Sequence, residues 1–374
     1  MPRAAVSCLL PRRVALWLAA LVLLGGVGFG PPQWLERDSA PTALAPAAAR
    51  AAQAARPPVL TARNVALLDA ATGRLLYARA AEERVAPASL TKMMTALVAL
   101  ELGQPQQRIT ATPDVYVEPV VIGLDAGETM TLEDLLYGLL LPSGNDAAMA
   151  IAEGVGGSIP QFVAAMNRKA AELGLRNTHF MNPHGLDQPG HYSTAYDLAR
   201  LLAALMQQPL AARIVGTRVH TVPGPPLYQF RNSNPLLGVV PGVDGGKTGF
   251  TDLAGRCLAV TAQREGHRVV AVVLNSQNPG QDAQALLEFA YTHFEWVDAA
   301  QPAARLLEYQ RDRERLQARV DAATVAVPLW ERAYLRVQVL LEEAAAPTGP
   351  LGRLRVESPL GLLGEFPLLA GGAR

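Results

Sequence analysis

Three short groups of polar residues occur in order along the chain: S-L-T-K at residues 89–92, S-G-N at residues 143–145 and K-T-G at residues 247–249. A serine hydroxyl becomes a nucleophile when a neighbouring base takes its proton, and a lysine can act as that base only as a neutral amine. Each group could arise by chance, but their order and contexts together favour one active site. The sequence therefore predicts acyl transfer through a serine nucleophile.

The first group is expected at the start of a helix. After Ser89 the apolar residues follow a helical spacing that suits a buried helix. Lys92, one turn after Ser89, would lie on the same helix face. The helix N-terminus would favour a developing alkoxide, while burial and a nearby cation would lower the pKa of Lys92. A capping serine followed by a surface lysine is the alternative for this group alone.

The second group is predicted to lie on a tight loop between two helices. Residues 131–141 carry acidic side chains in their first turn, an apolar body and a stop at Pro142. Another helix is expected to begin near Asn145. Ser143 and Asn145 could then point into a cleft, although this stretch is also favourable as a simple turn.

The third group precedes a predicted antiparallel hairpin. Two apolar, β-branched runs, residues 258–263 and 269–274, flank a Glu-Gly turn. At the rim of such a strand, Lys247 offers charge, Thr248 can bind a carboxylate, and Gly249 allows a peptide to approach the backbone closely. A glycine-rich turn with an exposed lysine is the alternative.

These groups and their surroundings resemble the D-alanyl-D-alanine carboxypeptidases of the low-molecular-mass penicillin-binding proteins. The resemblance extends over about residues 58–296, and further segments share it: residues 64–77, 127–129, 173–180, 182–186 (N-P-H-G-L) and 191–195 (H-Y-S-T-A). It implies an α+β fold: a penicillin-binding or serine β-lactamase-like catalytic domain with an antiparallel sheet flanked by helices, followed by a small β-rich C-terminal domain.

The resemblance also implies a catalytic role for several residues. Ser89 would attack the carbonyl between two terminal D-alanines while neutral Lys92 takes its proton. The backbone N–H groups of Ser89 and Phe250 would hold the oxyanion. Ser143 would pass a proton to the leaving amine, and Asn145 would bind the substrate backbone and help to hold Lys92.

The strand residues would complete the site. Lys247 would add the positive charge that keeps Lys92 neutral, and Thr248 would bind the terminal carboxylate beside Gly249 and Phe250. The implied substrate is a peptidoglycan stem peptide that ends in D-Ala-D-Ala. Because β-lactams mimic this dipeptide, they would act as covalent inhibitors that acylate Ser89.

Two positions depart from the family pattern. Some relatives have a histidine where this chain has Phe250, and an arginine shortly after the hairpin, where residues 275–282 contain none. Carboxylate recognition is therefore expected to depend more on Lys247 and Thr248, with Arg256 as a further hypothesis.

Composition excludes several other classes. The 33 basic and 33 acidic residues balance, so no nucleic-acid partner is expected. The two cysteines, Cys8 and Cys257, predict neither a disulfide framework nor a cysteine metal site. The six histidines lack the spacing of metal ligands. We therefore predict no metal and no organic cofactor.

The N-terminal residues 1–30 predict a secretory signal peptide or an N-terminal signal anchor, because arginines precede an apolar run from Val14 to about Gly30. Cleavage and retention as a membrane anchor both remain open. Residues 31–57, rich in alanine and proline, are predicted to be a linker. The remainder of the chain is expected to act outside the cytoplasm.

The predicted catalytic domain covers residues 58–296, and residues 297–374 are predicted to form the small β-rich domain. Residues 334–341 alternate apolar and polar side chains as a strand does. Residues 305–319 are dense in both charges, which favours a surface segment, either a solvated helix or a pair of strands. Glycines and prolines interrupt residues 359–374, so this segment is predicted not to form an amphipathic membrane-surface helix.

Three alternatives share parts of this pattern. A β-lactamase commonly needs a glutamate in a Glu-Xaa-Xaa-Leu-Asn loop for deacylation, and the nearest string, residues 172–176, lacks the asparagine. A D,D-endopeptidase that cleaves cross-links would use identical residues. A non-catalytic wall-binding protein is disfavoured because every chemical position is filled.

Overall fold

The computed structural model describes residues 4–9, 57–224, 226–299, 308–311, 314–320, 323–329, 331–332, 335–341, 350–358 and 361–371. These residues divide into two compact units. One unit runs from Pro58 to Thr292. The other combines the described residues before Pro58 with those from His293 onward.

The strands, in chain order, are β1 (Ala4–Leu9), β2 (Asn64–Asp69), β3 (Leu75–Arg79), β4 (Arg108–Thr110), β5 (Thr129–Thr131), β6 (Val219–Val222), β7 (Tyr228–Arg231), β8 (Val243–Thr251), β9 (Gly255–Arg264), β10 (His267–Leu274), β11 (Phe294–Asp298), β12 (Glu308–Arg311), β13 (Glu314–Arg319), β14 (Thr324–Pro328), β15 (Arg336–Leu341), β16 (Gly352–Ser358) and β17 (Gly361–Gly371). The helices are α1 (Lys92–Leu102), α2 (Leu132–Leu140), α3 (Asn145–Gly156), α4 (Ile159–Glu172), α5 (Ala195–Leu205), α6 (Pro209–Val215) and α7 (Pro279–His293). Two short 3₁₀ helices cover Ala88–Thr91 and Pro113–Val115.

The sheet of the first unit is antiparallel, with strand order β3-β2-β10-β9-β8. The predicted hairpin is confirmed, since β9 and β10 are joined at Glu265 and Gly266, whose φ angles of 51° and 83° suit a two-residue hairpin turn. Strand β8 lies at the edge of this sheet and pairs only with β9 among the described strands. One side of its backbone is therefore available to a peptide.

Helix α1 lies in the middle of the helical layer. Its residues from Lys92 to Ala99 are all buried, and it contacts α2, α3, α4 and α5. A helix surrounded in this way needs apolar side chains on every face, which explains the run of methionine, leucine, valine and alanine. The predicted helix start at Ser89 is confirmed as a 3₁₀ turn that leads directly into α1.

The predicted loop between two helices is also confirmed. Thr131 caps α2, its side chain accepting a hydrogen bond from the Asp134 N–H at 3.1 Å. After α2 ends, the Gly144 N–H donates back to the Gly138 carbonyl at 3.0 Å. A Cβ atom on Gly144 would lie only 2.7 Å from Asp146 Oδ1, so glycine is required by the tight turn into α3.

The second unit is built from strands. It contains the sheet β1-β15-β16-β17-β13-β12 and the pair β11-β14. Within residues 305–319, predicted to be a charged surface segment, the strands β12 and β13 form an antiparallel pair. Residues 359–374, predicted not to form a helix, contain β17. Residues 4–9 of the predicted signal form β1, paired with β15. The apolar run of residues 14–30 and the linker to residue 56 lie outside the described residues.

The predicted α+β class is confirmed: helices flank an antiparallel sheet in one unit, and a β-rich unit contains most of the C-terminal residues. None of the helices in the described part of the chain combines the length and apolar character needed to cross a membrane.

Candidate active site

The turn that carries Ser89 lies between two close backbone approaches. A Cβ atom on Gly185, whose φ is 93°, would lie 2.0 Å from the Ala88 carbonyl oxygen. A Cβ atom on Gly249 would lie 3.3 Å from the Ser89 nitrogen. Larger residues at these positions would push the turn away. Ser89 is thus fixed between the loop that contains Gly185 and the edge strand β8.

The Lys92 amine connects three parts of the site. Its Nζ atom lies 3.0 Å from Ser89 Oγ, 2.7 Å from Asn145 Oδ1 and 2.9 Å from the His184 carbonyl oxygen. Lys92 is fully buried. The i, i+3 spacing of the sequence therefore becomes a direct serine–lysine contact, held from behind by two acceptors.

Burial is the main reason that the pKa of Lys92 is lowered well below its ordinary value. The positive charge of Lys247 lowers it further, and the negative charge of Asp146 opposes the shift. Burial also lowers the pKa of Lys247, to about 7. Both lysines therefore reach the neutral form far more easily than a lysine in water.

Ser143 has two unusual properties. Its φ angle is 80°, a conformation that non-glycine residues rarely adopt. Its Oγ atom is buried and has no hydrogen-bond partner within the described part of the chain. An unpaired buried hydroxyl and a strained backbone are both costly, and such features cluster at functional sites.

The strand side of the site is more open. The Lys247 ammonium donates to the Thr248 carbonyl oxygen at 3.0 Å, and the hydroxyl groups of Thr248 and Ser233 lie 2.6 Å apart. Phe250 is 61% exposed. Arg256 pairs in register with Phe250, and its Nη1 atom lies 3.5 Å from the Gln277 carbonyl oxygen.

A loop that contains N-P-H-G-L supplies contacts that the sequence reasoning did not assign. The His184 carbonyl accepts from Lys92, and the Pro183 carbonyl accepts from Thr95 Oγ1 at 2.6 Å. The Gly185 N–H donates to Asn182 Oδ1 at 2.7 Å, which closes the loop on itself. Burial, followed by the charge of Lys92, lowers the pKa of His184 to about 3. The only sequence signal was the family resemblance of this segment.

Asp146 is a second residue that the sequence reasoning missed. Its buried carboxylate accepts hydrogen bonds from the N–H groups of Ile122, Gly123 and Leu124 at 2.8 to 3.1 Å. The neighbouring Asn145 N–H donates to the Val120 carbonyl at 2.7 Å. The start of α3 thus holds residues 120–124 in place, and an acidic residue directly after S-G-N was the available signal.

Ser89, Lys92 and Asn145 form one hydrogen-bonded set. Ser143 lies on the loop just before Asn145, and β8 approaches Ser89 at Gly249. Within the described residues, no hydrogen bond joins the side chains of Ser143 or Lys247 to this set. The same part of the chain contains no group of side chains suited to hold a metal ion.

A serine hydroxyl beside a buried amine, on a helix packed against an antiparallel sheet, supplies the nucleophile and the base that acyl transfer requires. This fold and this site define a serine hydrolase of the penicillin-binding type. Comparison with known proteins agrees. The family model described as D-alanyl-D-alanine carboxypeptidase matches residues 51–278. This chain belongs to that family of serine peptidases.

Individual relatives give the extent of the similarity. D-alanyl-D-alanine carboxypeptidase DacF of Bacillus subtilis is 38% identical over 248 residues, which are 63% of this chain and 63% of that protein. The DacD carboxypeptidase of Salmonella typhimurium is 31% identical over 84% of this chain and 87% of its own length. The solved structure of penicillin binding protein 5 from Haemophilus influenzae has a TM-score of 0.73 at 27% identity, covering 85% of this chain and 98% of that one.

Proposed function

We propose that this chain is a serine D,D-carboxypeptidase that removes the terminal D-alanine from peptidoglycan stem pentapeptides. The observation that carries the proposal is the 3.0 Å contact between Ser89 Oγ and the fully buried Lys92 amine, whose pKa is lowered. The names of the relatives, which are D-alanyl-D-alanine carboxypeptidases and a penicillin-binding protein, support the same substrate.

The acylation step begins when neutral Lys92 takes the proton of Ser89. The Ser89 oxygen then forms a bond to the carbonyl carbon between the two D-alanines. The N–H groups of Ser89 and Phe250 stabilise the resulting oxyanion. The carbon–nitrogen bond breaks, and Ser143 passes the proton from Lys92 to the leaving amine, which departs as D-alanine. The unpaired Ser143 hydroxyl supports this role, since no protein group competes for it within the described residues.

Hydrolysis of the acyl-enzyme reverses the same proton transfers. A water molecule gives a proton to Lys92 and its oxygen attacks the acyl carbon. The bond to Ser89 Oγ then breaks, and Ser89 recovers its proton. The products are free Ser89 and a stem peptide shortened by one D-alanine. A β-lactam would follow the first step and leave slowly.

Recognition of the substrate terminus depends on the strand side. Lys247 supplies positive charge, and Thr248 donates to the free carboxylate while Ser233 supports its hydroxyl at 2.6 Å. Gly249 allows the substrate to lie against β8. Asn145 binds the substrate backbone through its amide group while its Oδ1 atom retains Lys92.

The substrate also sets the place of action, since peptidoglycan lies outside the cytoplasm. We infer that residues 1–30 direct or anchor the chain there, that residues 31–57 link them to the catalytic domain of residues 58–296, and that residues 297–374 form a separate domain. Membrane attachment is assigned to the N-terminal segment. A chain that begins at residue 50 and still binds membranes would contradict this assignment.

The decisive experiment measures D-alanine release from a pentapeptide that ends in D-Ala-D-Ala. Native protein should release D-alanine, whereas Ser89→Ala protein and β-lactam-treated protein should not. A cross-linked peptide dimer serves as a second substrate. Cleavage of the dimer without release from the pentapeptide would favour a D,D-endopeptidase, and no reaction of folded protein with either substrate or with penicillin would favour a wall-binding role.

A further inference from the structure

His191, which follows the N-P-H-G-L loop, is a buried polar side chain that the proposed reaction does not use. The residue is 6% exposed, and the Phe180 ring meets its imidazole edge-on at 5.7 Å between ring centres. Burial, followed by the charge of His179, lowers the pKa of His191 to about 4, so the imidazole is neutral near neutral pH. A buried neutral imidazole is costly unless both of its ring nitrogens have hydrogen-bond partners.

The two ring nitrogens of His191 have partners that fix the position of its hydrogen. Nδ1 lies 3.1 Å from the Met181 nitrogen, whose N–H can only donate, so Nδ1 is the acceptor. The hydrogen of the neutral ring is therefore on Nε2, which donates to Thr91 Oγ1 at 2.8 Å. Thr91 is fully buried. The ring thus connects the backbone of a loop to the side chain that precedes Lys92 in the sequence.

The start of α1 and the turn before it are joined to the loop of residues 181–191 by three hydrogen bonds among the described residues. In two of them the loop accepts, through the carbonyls that bind Lys92 and Thr95. In the third the loop donates, through His191 to Thr91. His191 is therefore the side chain with which the loop holds the turn.

The proposed reaction needs this loop in place. The His184 carbonyl accepts from the Lys92 amine at 2.9 Å and so restricts the direction in which the amine points. The loop also covers Lys92, whose pKa is lowered mainly by burial. The packing is close, since a Cβ atom on Gly185 would lie 2.9 Å from Thr91 Oγ1. If the loop moved away, water would reach the amine and the pKa of Lys92 would rise toward its ordinary value.

We propose that His191 is a positioning residue for the acylation step. Through its bond to Thr91 it holds the loop against the start of α1, and the loop in turn keeps the Lys92 amine shielded from water and directed at Ser89. The partners of His191 are Thr91 and a backbone amide of the same loop, so it acts through the loop and not on the reacting atoms. This inference rests on the proposed function, in which Lys92 is the base.

The test compares His191→Leu and His191→Gln with the native full-length enzyme. The rate constant for acylation by a fluorescent penicillin is measured from about pH 5 to about pH 10. In His191→Leu the bond to Thr91 is lost, so the pKa of Lys92 should rise and less of the amine should be neutral. The acid limb of the profile should move up by about 0.5 to 1 pH unit, and rates on that limb should fall about 3-fold to 10-fold.

The glutamine variant tests for rescue. His191→Gln retains an amide N–H close to the position of Nε2 and should keep the native profile. Because His191 is neutral across this pH range, neither variant removes a charge. The other groups that interact electrostatically with Lys92, which are Lys247, Asp146 and His184, are the same in both variants. A shift of the acid limb therefore reports a change in the position of the loop.

Thr91→Val removes the same hydrogen bond from the other side and nearly keeps the shape of the side chain. It should move the acid limb by as much as His191→Leu does, and it provides the test if His191→Leu does not fold. The double variant should move the limb no further than either single variant, because the bond is already lost.

His220→Leu is the matched control for loss of a packed histidine. His220 is a partly buried residue of β6 that stacks on Tyr137 at 3.6 Å between ring centres and lies 3.1 Å from Asp134 Oδ1. This variant should lower the free energy of unfolding in urea and leave the acid limb where it is in the native enzyme.

The outcomes distinguish the positioning role from the reaction itself. A slower His191→Leu enzyme whose acid limb does not move would overturn the positioning role, since the loss would then be one of general stability. A shift of the same size in His220→Leu, or shifts that add in the double variant, would overturn it as well. A native enzyme that folds but neither releases D-alanine nor reacts with penicillin would overturn the proposed function.

Discussion

The two sides of the site are built differently. On the helix side, the Lys92 amine has three oxygen partners within 3.0 Å, and the loop that supplies one of them is held by further hydrogen bonds. On the strand side, the buried Lys247 ammonium has one hydrogen-bond partner among the described residues, the Thr248 carbonyl, and Phe250 is largely exposed. The base on the helix side is thus fully engaged by the protein, whereas the Lys247 ammonium on the strand side retains unused donors.

This difference fits a division of work. A base must meet its nucleophile in one geometry, so its position is over-determined by the protein. Groups that bind a substrate need free hydrogen-bonding capacity until the substrate arrives. Changes on the helix side should therefore affect the rate of the chemical step, and changes on the strand side should affect binding.

The largest effect is expected at Lys92. Lys92→Arg replaces a lysine that can lose its proton with a group that stays charged, so no base remains for Ser89. We expect the rate constant for acylation by a fluorescent penicillin to fall about 1000-fold. Lys169→Arg is the control, because Lys169 forms surface ion pairs with Glu101 and Glu172 and should be replaceable. Acylation of Lys92→Arg within about tenfold of native would remove Lys92 from the role of base.

The fixed geometry of the helix side should also be visible in stability. Gly185 has a left-handed φ of 93°, which an alanine adopts only with strain. Gly185→Ala would also place a Cβ atom 2.0 Å from the Ala88 carbonyl oxygen. Gly266→Ala has a similar φ of 83° but no atom within 4 Å. Urea denaturation should show a loss of about 1 kcal/mol for Gly266→Ala and about 3 kcal/mol for Gly185→Ala. Equal losses would mean that the loop can move away from the Ser89 turn without cost.

The buried charge on the strand side predicts a pH dependence of stability. The pKa of Lys247 is about 7 in the folded chain, against an ordinary value of 10.5. Between these values the unfolded chain binds more protons, so the free energy of unfolding should rise with pH, by at most about 1.4 kcal/mol per pH unit from this group. Lys247→Met should show a smaller rise between pH 7 and 10 in chemical denaturation. A rise as steep as that of the native protein would mean that Lys247 does not titrate in this window.

The smallest effect is expected at Ser233, whose hydroxyl supports that of Thr248 at 2.6 Å. Ser233→Ala should raise KM for the pentapeptide about threefold and leave kcat unchanged, because it weakens binding alone. The exposed hydroxyl pair of Thr110 and Thr129, at 2.8 Å, offers a control: Thr110→Val should leave KM unchanged. A fall in kcat for Ser233→Ala would place this residue in the chemical step and weaken the contrast between the two sides.

The parts of the fold that could be predicted from sequence depend on local patterns. The Glu265-Gly266 turn between two β-branched runs identifies the β9–β10 hairpin, because only certain residues adopt its backbone angles. The contact between Ser89 and Lys92 follows from helix geometry alone, since residues three apart share a face. The loop at Ser143 was predictable because Pro142 cannot continue a helix.

The parts that could not be predicted join distant positions through the main chain. The contact between Lys92 and the His184 carbonyl spans 92 positions, and every residue type carries a carbonyl group, so no side chain signals it. The contact between Asp187 and Thr251 spans 64 positions and depends on how a loop folds against the end of β8. Such contacts are set by tertiary packing, which local propensity does not encode.

The partners of Lys92 also determine where its lone pair points. An ammonium group has three hydrogens, enough for Ser89 Oγ, Asn145 Oδ1 and the His184 carbonyl together. A neutral amine has only two hydrogens, and the amide and carbonyl oxygens can do nothing but accept. When the two hydrogens are donated to the Asn145 and His184 oxygens, the lone pair of the amine faces Ser89 Oγ, the one partner that carries a hydrogen. Loss of a single proton thus turns the amine from a donor to Ser89 into an acceptor from it, without any movement of the side chain.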